Sequence, residues 1–282
     1  MYSTLIDVSH LGALLDRPEI VILDCRFELG APDAGAAAFA QGHIPGAQYA
    51  HLERDLSGPA DTTTGRHPLP DPERLALTFG RWGINANVQV IAYDAGPGAY
   101  AARAWWLLRW LGHEAVAVLN GGFAAWQAAG FAIETVARRR DARLYVPQLR
   151  AERAIDTQEI LQHLPRKDLD IVDARGADRF AGRNETIDPV AGHVPGARNR
   201  PFTANLGADG RFLPAATLRE QWDALLAGRP VSALVSMCGS GVTACHNLLA
   251  LEHAGLQGAR LYAGSWSEWV RDPSRPVATT DD

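Results

Sequence analysis

The feature that most constrains the fold of this chain is an internal duplication. The segment VILDCRFELGAPDAGAAAFAQGHIPGAQY in the first half has a counterpart, DIVDARGADRFAGRNETIDPVAGHVPGARN, in the second. Each contains an apolar run that ends in Asp-x-Arg and then a loop that closes on Gly-His-Ile/Val-Pro-Gly-Ala. The two Asp-x-Arg motifs lie 149 residues apart and the two Gly-His motifs 150 apart. A repeat of this length is a whole domain rather than a solenoid unit, so the sequence predicts two homologous domains.

Short β-rich runs alternate with helical stretches in both halves. The predicted strands are residues 20–23, 88–93 and 115–119, then 169–172, 233–236 and 259–262, and the clearest helices are 71–82 and 214–226. Asp71, followed by Pro and Glu, is a typical helix start. The alternation predicts an α/β fold in which each domain has a mostly parallel sheet flanked by helices. We place the domains at residues 1–136 and 153–282, with a linker at 137–152.

Composition excludes several classes of partner. The 282 residues are 47% apolar and 21% charged, the profile of an ordinary globular protein. A formal net charge of -5 argues against a nucleic-acid partner, and the lack of an apolar run of about 18 residues argues against a membrane partner. The chain opens without a signal-peptide pattern and has three cysteines. We therefore expect reduced thiols and a cytoplasmic protein.

One cysteine stands where parallel sheets place their ligand sites. Cys238 follows the predicted strand 233–236, and such sheets bind ligands beyond the carboxyl ends of their strands. The glycine-rich stretch after it can turn successive main-chain N–H groups towards an anion, and the start of the next helix adds its dipole. These groups favour a thiolate, the reactive form of cysteine. The residues expected to hold an anionic sulfur are Gly239, Ser240, Gly241, Val242 and Thr243.

Other interpretations of the cysteines are weaker. Cys25, at a strand end, and Cys245, inside an apolar helix, are typical of buried structural cysteines. A cysteine phosphatase loop needs an arginine six residues after the nucleophile to grip phosphate, and that position is Ala244. Cys245 and His246 have no second pair at ligand spacing, so we predict no metal site.

The duplicated Asp-x-Arg and Gly-His-Ile/Val-Pro-Gly-Ala modules, with Cys-Gly-Ser-Gly-Val-Thr-Ala in the second, resemble the tandem-domain rhodanese superfamily, in particular its 3-mercaptopyruvate and thiosulfate sulfurtransferases. The resemblance implies two rhodanese-like domains, the first catalytically silent because Asp94 stands where the second has Cys238. It implies that Cys238 takes sulfur from a small-molecule donor as a persulfide. A thiol acceptor, such as thioredoxin or a low-molecular-weight thiol, or cyanide then removes that sulfur, and no cofactor is required.

The resemblance also implies a subsite for the carboxylate of the donor. Members of this family bind that carboxylate with an arginine in a segment that matches ADRF here, which makes Arg179 the candidate. Relatives often have a second arginine shortly afterwards, but this chain has Thr186, Ile187 and Asp188 in that region. Arg183 is close in sequence without being the matching residue, and it is the remaining candidate.

Further roles come from the same resemblance. The family pairs the loop serine with an aspartate and a histidine of the first domain, which implies that Ser240 acts with Asp55 and His67. His43 and His193 recur in both halves, including the silent one, so we assign them to the architecture of the turn.

The choice of donor remains open between two sulfur compounds. Thiosulfate-preferring relatives carry basic residues after the cysteine, whereas this loop has none, which favours 3-mercaptopyruvate. The alternatives are a thiosulfate-preferring rhodanese and, in a different class, a non-catalytic module that carries persulfide to a partner.

Overall fold

The computed structural model describes residues 1–280, which form two compact units. The first comprises Met1–Gly58, Pro70–Arg150 and Gly207–Phe212, and the second comprises Pro59–Leu69, Ala151–Leu206 and the described residues from Leu213 on. The units are therefore discontinuous in sequence, unlike the continuous domains that we predicted. The short segment Pro59–Leu69 belongs with the second unit, although it precedes most of the first unit's helices.

The first unit is a five-stranded parallel sheet flanked by five helices. Its strands are β1 (Leu5–Ile6), β2 (Ile20–Asp24), β3 (Gln48–Tyr49), β4 (Gln89–Tyr93) and β5 (Val116–Leu119), in the order β1-β5-β4-β2-β3. Its helices are α1 (Val8–Gly12), α2 (Ala34–Gln41), α3 (Pro72–Arg81), α4 (Ala101–Trp110) and α5 (Gly122–Ala128). Helix α4 is buried along its whole length, so its tryptophans belong to the core.

The second unit repeats this plan strand for strand. Its strands are β6 (Ala154–Ile155), β7 (Asp170–Asp173), β8 (Arg198–Asn199), β9 (Leu234–Met237) and β10 (Arg260–Tyr262), all parallel, in the order β6-β10-β9-β7-β8. Its helices are α6 (Thr157–His163), α7 (Ala177–Ala181), α8 (Ala215–Leu226), α9 (Thr243–His253) and α10 (Ser265–Trp269). Among the helices of residues 1–280, none has the length and apolar character needed to cross a bilayer.

The predicted fold class and the six predicted strands are confirmed, with strand ends shifted by no more than about one residue. Helix α3 begins as the sequence indicated: the Asp71 side chain accepts the Arg74 N–H at 2.9 Å. The prediction omitted β1, β3, β6 and β8, each of two residues. So short a strand shows no alternation of apolar and polar residues, and only pairing with a neighbouring strand defines it.

The duplicated Asp-x-Arg motif connects a strand end to the Gly-His turn. In the first unit the Arg26 guanidinium donates to both oxygens of Asp24, and its Nη2 also donates to the Gly42 carbonyl at 2.7 Å. The same four bonds recur in the second unit, on Asp173, Arg175 and Gly192. These buried bidentate pairs fix the loop that follows the strand, which explains why the two motifs are duplicated together.

The histidine of each Gly-His motif is part of the same turn. The rings of His43 and His193 stack on Phe39 and Phe180, with centroids 3.8 Å apart in both units. The Nδ1 atom of each histidine lies 2.8 Å from the carbonyl oxygen of the phenylalanine on which it stacks. Both histidines therefore have equivalent structural surroundings, as their recurrence in the sequence indicated.

Candidate active site

Cys238 lies directly after β9, in a loop that leads into α9. Its side chain is buried, with the residue 2% exposed. Gly241 adopts φ +76°, and a methyl group on its Cα would lie 2.9 Å from the Ala263 Cα. Only glycine fits this backbone conformation and this close approach. The loop can therefore turn tightly between strand and helix.

The loop contains main-chain donors without an acceptor. Within residues 1–280, the amides of Gly239, Ser240, Val242 and Thr243 donate to no protein group. All except Thr243 belong to buried residues. Because buried amides are almost always paired, four unpaired donors beside a thiol form a binding site for an anion. This is the arrangement that an anionic sulfur on Cys238 requires.

A second turn, at the start of α10, holds the main chain of Cys238. The Ser265 hydroxyl accepts the Cys238 N–H at 3.0 Å and donates to the Tyr262 carbonyl at 2.8 Å. Trp266 and Ser267 donate their amides to the carbonyls of Cys238 (3.0 Å) and Gly239 (2.9 Å). This turn was not predicted. Its only signal in the sequence is the match of AGSWSEW with NGGFAAW of the first repeat.

Ser240 and His67 come together, as the resemblance implied. His67 Nδ1 lies 2.7 Å from Ser240 Oγ, and both residues are buried. The segment that carries His67 is held to the second unit, because the Arg66 N–H donates to Ser267 Oγ at 3.0 Å. The third predicted member, Asp55, belongs to the first unit, where its carboxylate accepts the His51 N–H at 2.9 Å. Its participation with His67 stays a prediction.

Two guanidinium groups lie against the cysteine loop. A methyl group on the Gly239 Cα would be 2.9 Å from Arg66 Nη2 and 3.6 Å from Arg179 Nη1. The carboxylate of Asp188 joins the two arginines: Oδ1 accepts from Arg66 Nη1, and Oδ2 accepts from Arg179 Nη2 at 3.1 Å. Arg179 was predicted at this site and Arg66 was not, since it comes from a distant part of the sequence.

The Glu185 carboxylate orients the guanidinium of Arg179. Arg179 donates through Nε and Nη2 to the Glu185 carboxylate at 2.9–3.1 Å, and Arg175 Nη1 lies 3.3 Å from the same group. Burial alone would raise the pKa of Glu185, but the Asp188 N–H and the Arg179 guanidinium outweigh burial, and the pKa is lowered. Glu185 is therefore ionised and fixes the guanidinium plane.

The remaining predicted residues lie as follows. Arg183 is on the surface: its side chain is 44% exposed, and its guanidinium donates to Asp178 at 3.0 Å. Cys25 and Cys245 are fully buried, and burial, followed by the charge of Asp24, raises the pKa of the Cys25 thiol well above its usual range. No cluster of three or more histidine, cysteine or acidic side chains arranged for a metal occurs within residues 1–280.

The first unit has an acidic side chain at the position of Cys238. Asp94 follows β4, and four main-chain amides donate to its carboxylate at 2.9–3.3 Å. Burial raises the pKa of this carboxyl, while those amides act in the opposite direction. The amides come from Gly96, Gly98, Tyr100 and Ala101. The loop after each central strand thus brings several main-chain N–H donors close together. In the first unit the Asp94 carboxylate accepts their hydrogen bonds.

The chain belongs to the rhodanese family: the rhodanese-like domain matches twice, over residues 7–129 and 156–272. It is 54% identical, over 98% of both chains, to a Pseudomonas aeruginosa protein named "Probable 3-mercaptopyruvate sulfurtransferase". It is 32% identical to the thiosulfate sulfurtransferase of Gallus gallus, over 82% of this chain and 79% of that one. SseA of Escherichia coli, described as a 3-mercaptopyruvate sulfotransferase, superposes with a TM-score of 0.80 at 34% identity, covering 95% of this chain and all of that one.

Proposed function

We propose that this chain is a sulfurtransferase that moves sulfane sulfur from 3-mercaptopyruvate, through a persulfide on Cys238, to a thiol acceptor. The observation that carries the proposal is a buried cysteine in a loop of unpaired amides, with the guanidinium of Arg179 beside Gly239. The amides stabilise an anionic sulfur, and the guanidinium suits the carboxylate of the donor. The two relatives named for 3-mercaptopyruvate support this donor.

In the first step the Cys238 thiolate attacks the sulfur of the donor. A sulfur–sulfur bond forms and the carbon–sulfur bond breaks, and the electron pair of that bond leaves with C3 as the enolate of pyruvate. The proton of the donor thiol balances the reaction, because the enolate takes one proton to become pyruvate while the Cys238 persulfide remains an anion. This step requires neither a metal nor an organic cofactor.

Ser240 and His67 are suited to deliver that proton. The hydroxyl of Ser240 both donates and accepts, and the 2.7 Å contact with His67 Nδ1 allows a proton to pass along the pair. We propose that the pair protonates the enolate as it leaves. Asp55 is the further candidate for orienting His67.

The charge around the loop favours a donor with a single negative charge. Arg66 and Arg179 are balanced by Asp188 and Glu185, whose carboxylates are each only 2% exposed. The loop itself contributes no cation after Cys238. A local charge near zero, rather than a concentration of positive charge, suits the one carboxylate of 3-mercaptopyruvate better than the two negative charges of thiosulfate.

In the second step a thiolate attacks the outer sulfur of the persulfide and Cys238 leaves as a thiolate. Low-molecular-weight thiols and the dithiol of a thioredoxin are acceptors with this chemistry, and cyanide is a laboratory substitute. Cys25, Cys238 and Cys245 form no disulfide within residues 1–280, as expected in a reducing compartment such as the cytoplasm, where we place the reaction.

The test of the function is persulfide formation followed by mass spectrometry. After incubation with 3-mercaptopyruvate, Cys238 should gain about 32 Da, one sulfur atom, and one equivalent of pyruvate should appear. Cys238→Ser should abolish both, while the matched control Cys245→Ala should retain them. Turnover by the Cys238→Ser variant would refute the proposal.

Two alternatives have distinct outcomes. If kcat/KM for thiosulfate exceeds that for 3-mercaptopyruvate tenfold, about 1.4 kcal/mol of discrimination, the chain is a thiosulfate-preferring rhodanese, the activity for which the Gallus gallus relative is named. If the persulfide forms but no small thiol, thioredoxin or cyanide removes it, the chain is a carrier module. The donor comparison and the acceptor assay therefore separate the three functions.

A further inference from the structure

We infer that Arg66 is the second arginine that binds the donor carboxylate, so that Arg66 and Arg179 grip it together beside Cys238. This inference rests on the proposed function, since it assigns a residue to the donor site of that reaction. Arg66 lies more than 110 residues before Arg179 in the chain, yet both belong to the second unit.

The first argument is which donor atoms of the two arginines are already paired. Arg66 Nη1 donates to Asp188, and Arg179 uses Nε and Nη2 for Glu185 and Asp188. Within residues 1–280, Arg66 Nη2 and Arg179 Nη1 donate to no protein acceptor. Both nitrogens approach Gly239: a methyl group on its Cα would lie 2.9 Å from Arg66 Nη2 and 3.6 Å from Arg179 Nη1, and the paired Arg179 Nη2 lies at 3.6 Å as well. The unpaired N–H groups of both arginines therefore lie at the loop that carries the thiol.

The second argument is the layering of charge. The acidic carboxylates of Asp188 and Glu185 are 2% exposed, whereas the guanidinium side chains of Arg66 and Arg179 are 24% and 22% exposed. The acids thus lie behind the cations and hold them, and the cations face outward beside the loop. Buried acids that orient a guanidinium while its outer N–H groups stay available are a common way to prepare an anion site.

The third argument is that Arg66 is fixed to the cysteine loop. Ser267 accepts the Arg66 N–H on its hydroxyl at 3.0 Å and donates its own N–H to the Gly239 carbonyl at 2.9 Å. A methyl group on Gly65 would lie 3.0 Å from the same hydroxyl, so the main chain runs close to α10 here. One residue therefore ties the arginine segment to the residue after Cys238, which limits the entropy lost when the donor binds.

Arg183, the candidate nearest in sequence, has different surroundings. Its 44% exposed side chain pairs at the surface with Asp178, whose side chain is 66% exposed. In the region where relatives often have their second arginine, this chain has Thr186, Ile187 and Asp188, and the Asp188 carboxylate accepts from Arg66. An arginine from another segment of the chain is therefore held at this site.

The decisive experiment compares two donors that differ only in the carboxylate. 3-Mercaptopyruvate and mercaptoacetone share the thiol and the ketone, but mercaptoacetone has a methyl group in place of the carboxylate. Arg66→Ala should lower kcat/KM for 3-mercaptopyruvate about ten- to a hundredfold, the effect of losing a hydrogen bond to a charged group, and change that for mercaptoacetone less than threefold. Arg66→Lys should give an intermediate loss, because it keeps the charge without the planar fork. The control Arg219→Ala, which removes an exposed pair with Asp223, should change neither.

Equal losses for both donors would overturn the inference, since they indicate a merely structural role. A loss confined to Arg183→Ala would also overturn it. Binding of pyruvate to the Cys238→Ser protein, measured by calorimetry, provides a readout without turnover: adding Arg66→Ala should weaken it about tenfold or more, and an unchanged Kd would refute the role of Arg66. Failure of the proposed function is a different result, namely no persulfide on Cys238 of the unmodified protein with 3-mercaptopyruvate.

Discussion

Ser265 occupies a backbone conformation that serine rarely adopts. Replacing it with alanine or glycine should give two variants that differ in stability but not in activity. It has φ +54°, and the corresponding residue of the first repeat is Gly122, with φ +57°. In both units the next two amides donate to the main chain of the loop after the central strand. The second unit thus has a serine where the fold favours glycine. What the serine adds is its hydroxyl, which accepts the Cys238 N–H.

The expected magnitudes follow from these two features. Ser265→Ala keeps the positive φ and leaves the buried Cys238 N–H without its acceptor, which should cost about 1–3 kcal/mol. Ser265→Gly loses the same hydrogen bond but relieves a strain of about 1 kcal/mol. The glycine variant should therefore be about 1 kcal/mol more stable than the alanine variant. Both should form the Cys238 persulfide more slowly, by a similar factor, because both lack the hydroxyl that positions the cysteine main chain.

The assay combines urea unfolding with the rate of pyruvate release in a single turnover. A control in the first unit is Gly122→Ala, whose methyl group would lie 2.6 Å from the Asp94 carbonyl oxygen. This variant should destabilise the first unit, although no hydroxyl hydrogen bond is lost there. If Ser265→Gly forms persulfide at the rate of the unmodified protein, the hydroxyl does not position Cys238 and the reasoning is refuted. If the alanine variant proves as stable as the glycine variant, the strain argument is wrong.

Three further results are expected. Glu185 has a lowered pKa in the folded protein, so its contribution to stability is present above its ordinary pKa of 4.5 and is lost as pH falls through the lowered pKa. In the Glu185→Gln variant the free energy of unfolding should therefore depend less on pH in that range. Identical pH profiles of the variant and the unmodified protein would contradict this. Asp188→Asn removes a negative charge next to the two arginines, so the ratio of kcat/KM for thiosulfate to that for 3-mercaptopyruvate should rise by the order of tenfold, and a fall would contradict the charge argument. Asp94→Asn places an amide NH₂ among four N–H donors and should destabilise the protein by about 1–3 kcal/mol in urea unfolding, whereas a neutral result would show that those bonds contribute little.

The sequence predicted the parts of this protein that depend on local pattern. The longer strands and helices have an apolar periodicity, the start of α3 has its Asp71 cap, and the duplication places Cys238 at a strand end. The pairing of Ser240 with His67 was also anticipated, because the family resemblance relates residues that are distant in sequence.

Arg66 and Ser265 were not predicted, and the reasons are physical. Arg66 approaches the cysteine loop because Pro59–Leu69 packs with the second unit, and no periodicity or spacing in the sequence indicates that packing. Arg183 was considered because it is near Arg179 in sequence, but nearness along the chain does not determine which guanidinium reaches Gly239. Ser265 is distinguished by its positive φ, and the residue type serine does not indicate a positive φ.

The two loops also explain why we propose that only the second unit carries sulfur. Asp94 receives four amide donors, and helix α4 begins seven residues after it at Ala101, whereas α9 begins five residues after Cys238 at Thr243. The longer loop surrounds a carboxylate, and the shorter one leaves its amides for a sulfur that extends from the cysteine. The residue before Phe180 is Arg179, but the residue before its counterpart Phe39 is Ala38, so the first unit also lacks the guanidinium for a donor. Placing a cysteine at Asp94 would therefore supply a thiol without the loop length or the cation that the reaction needs.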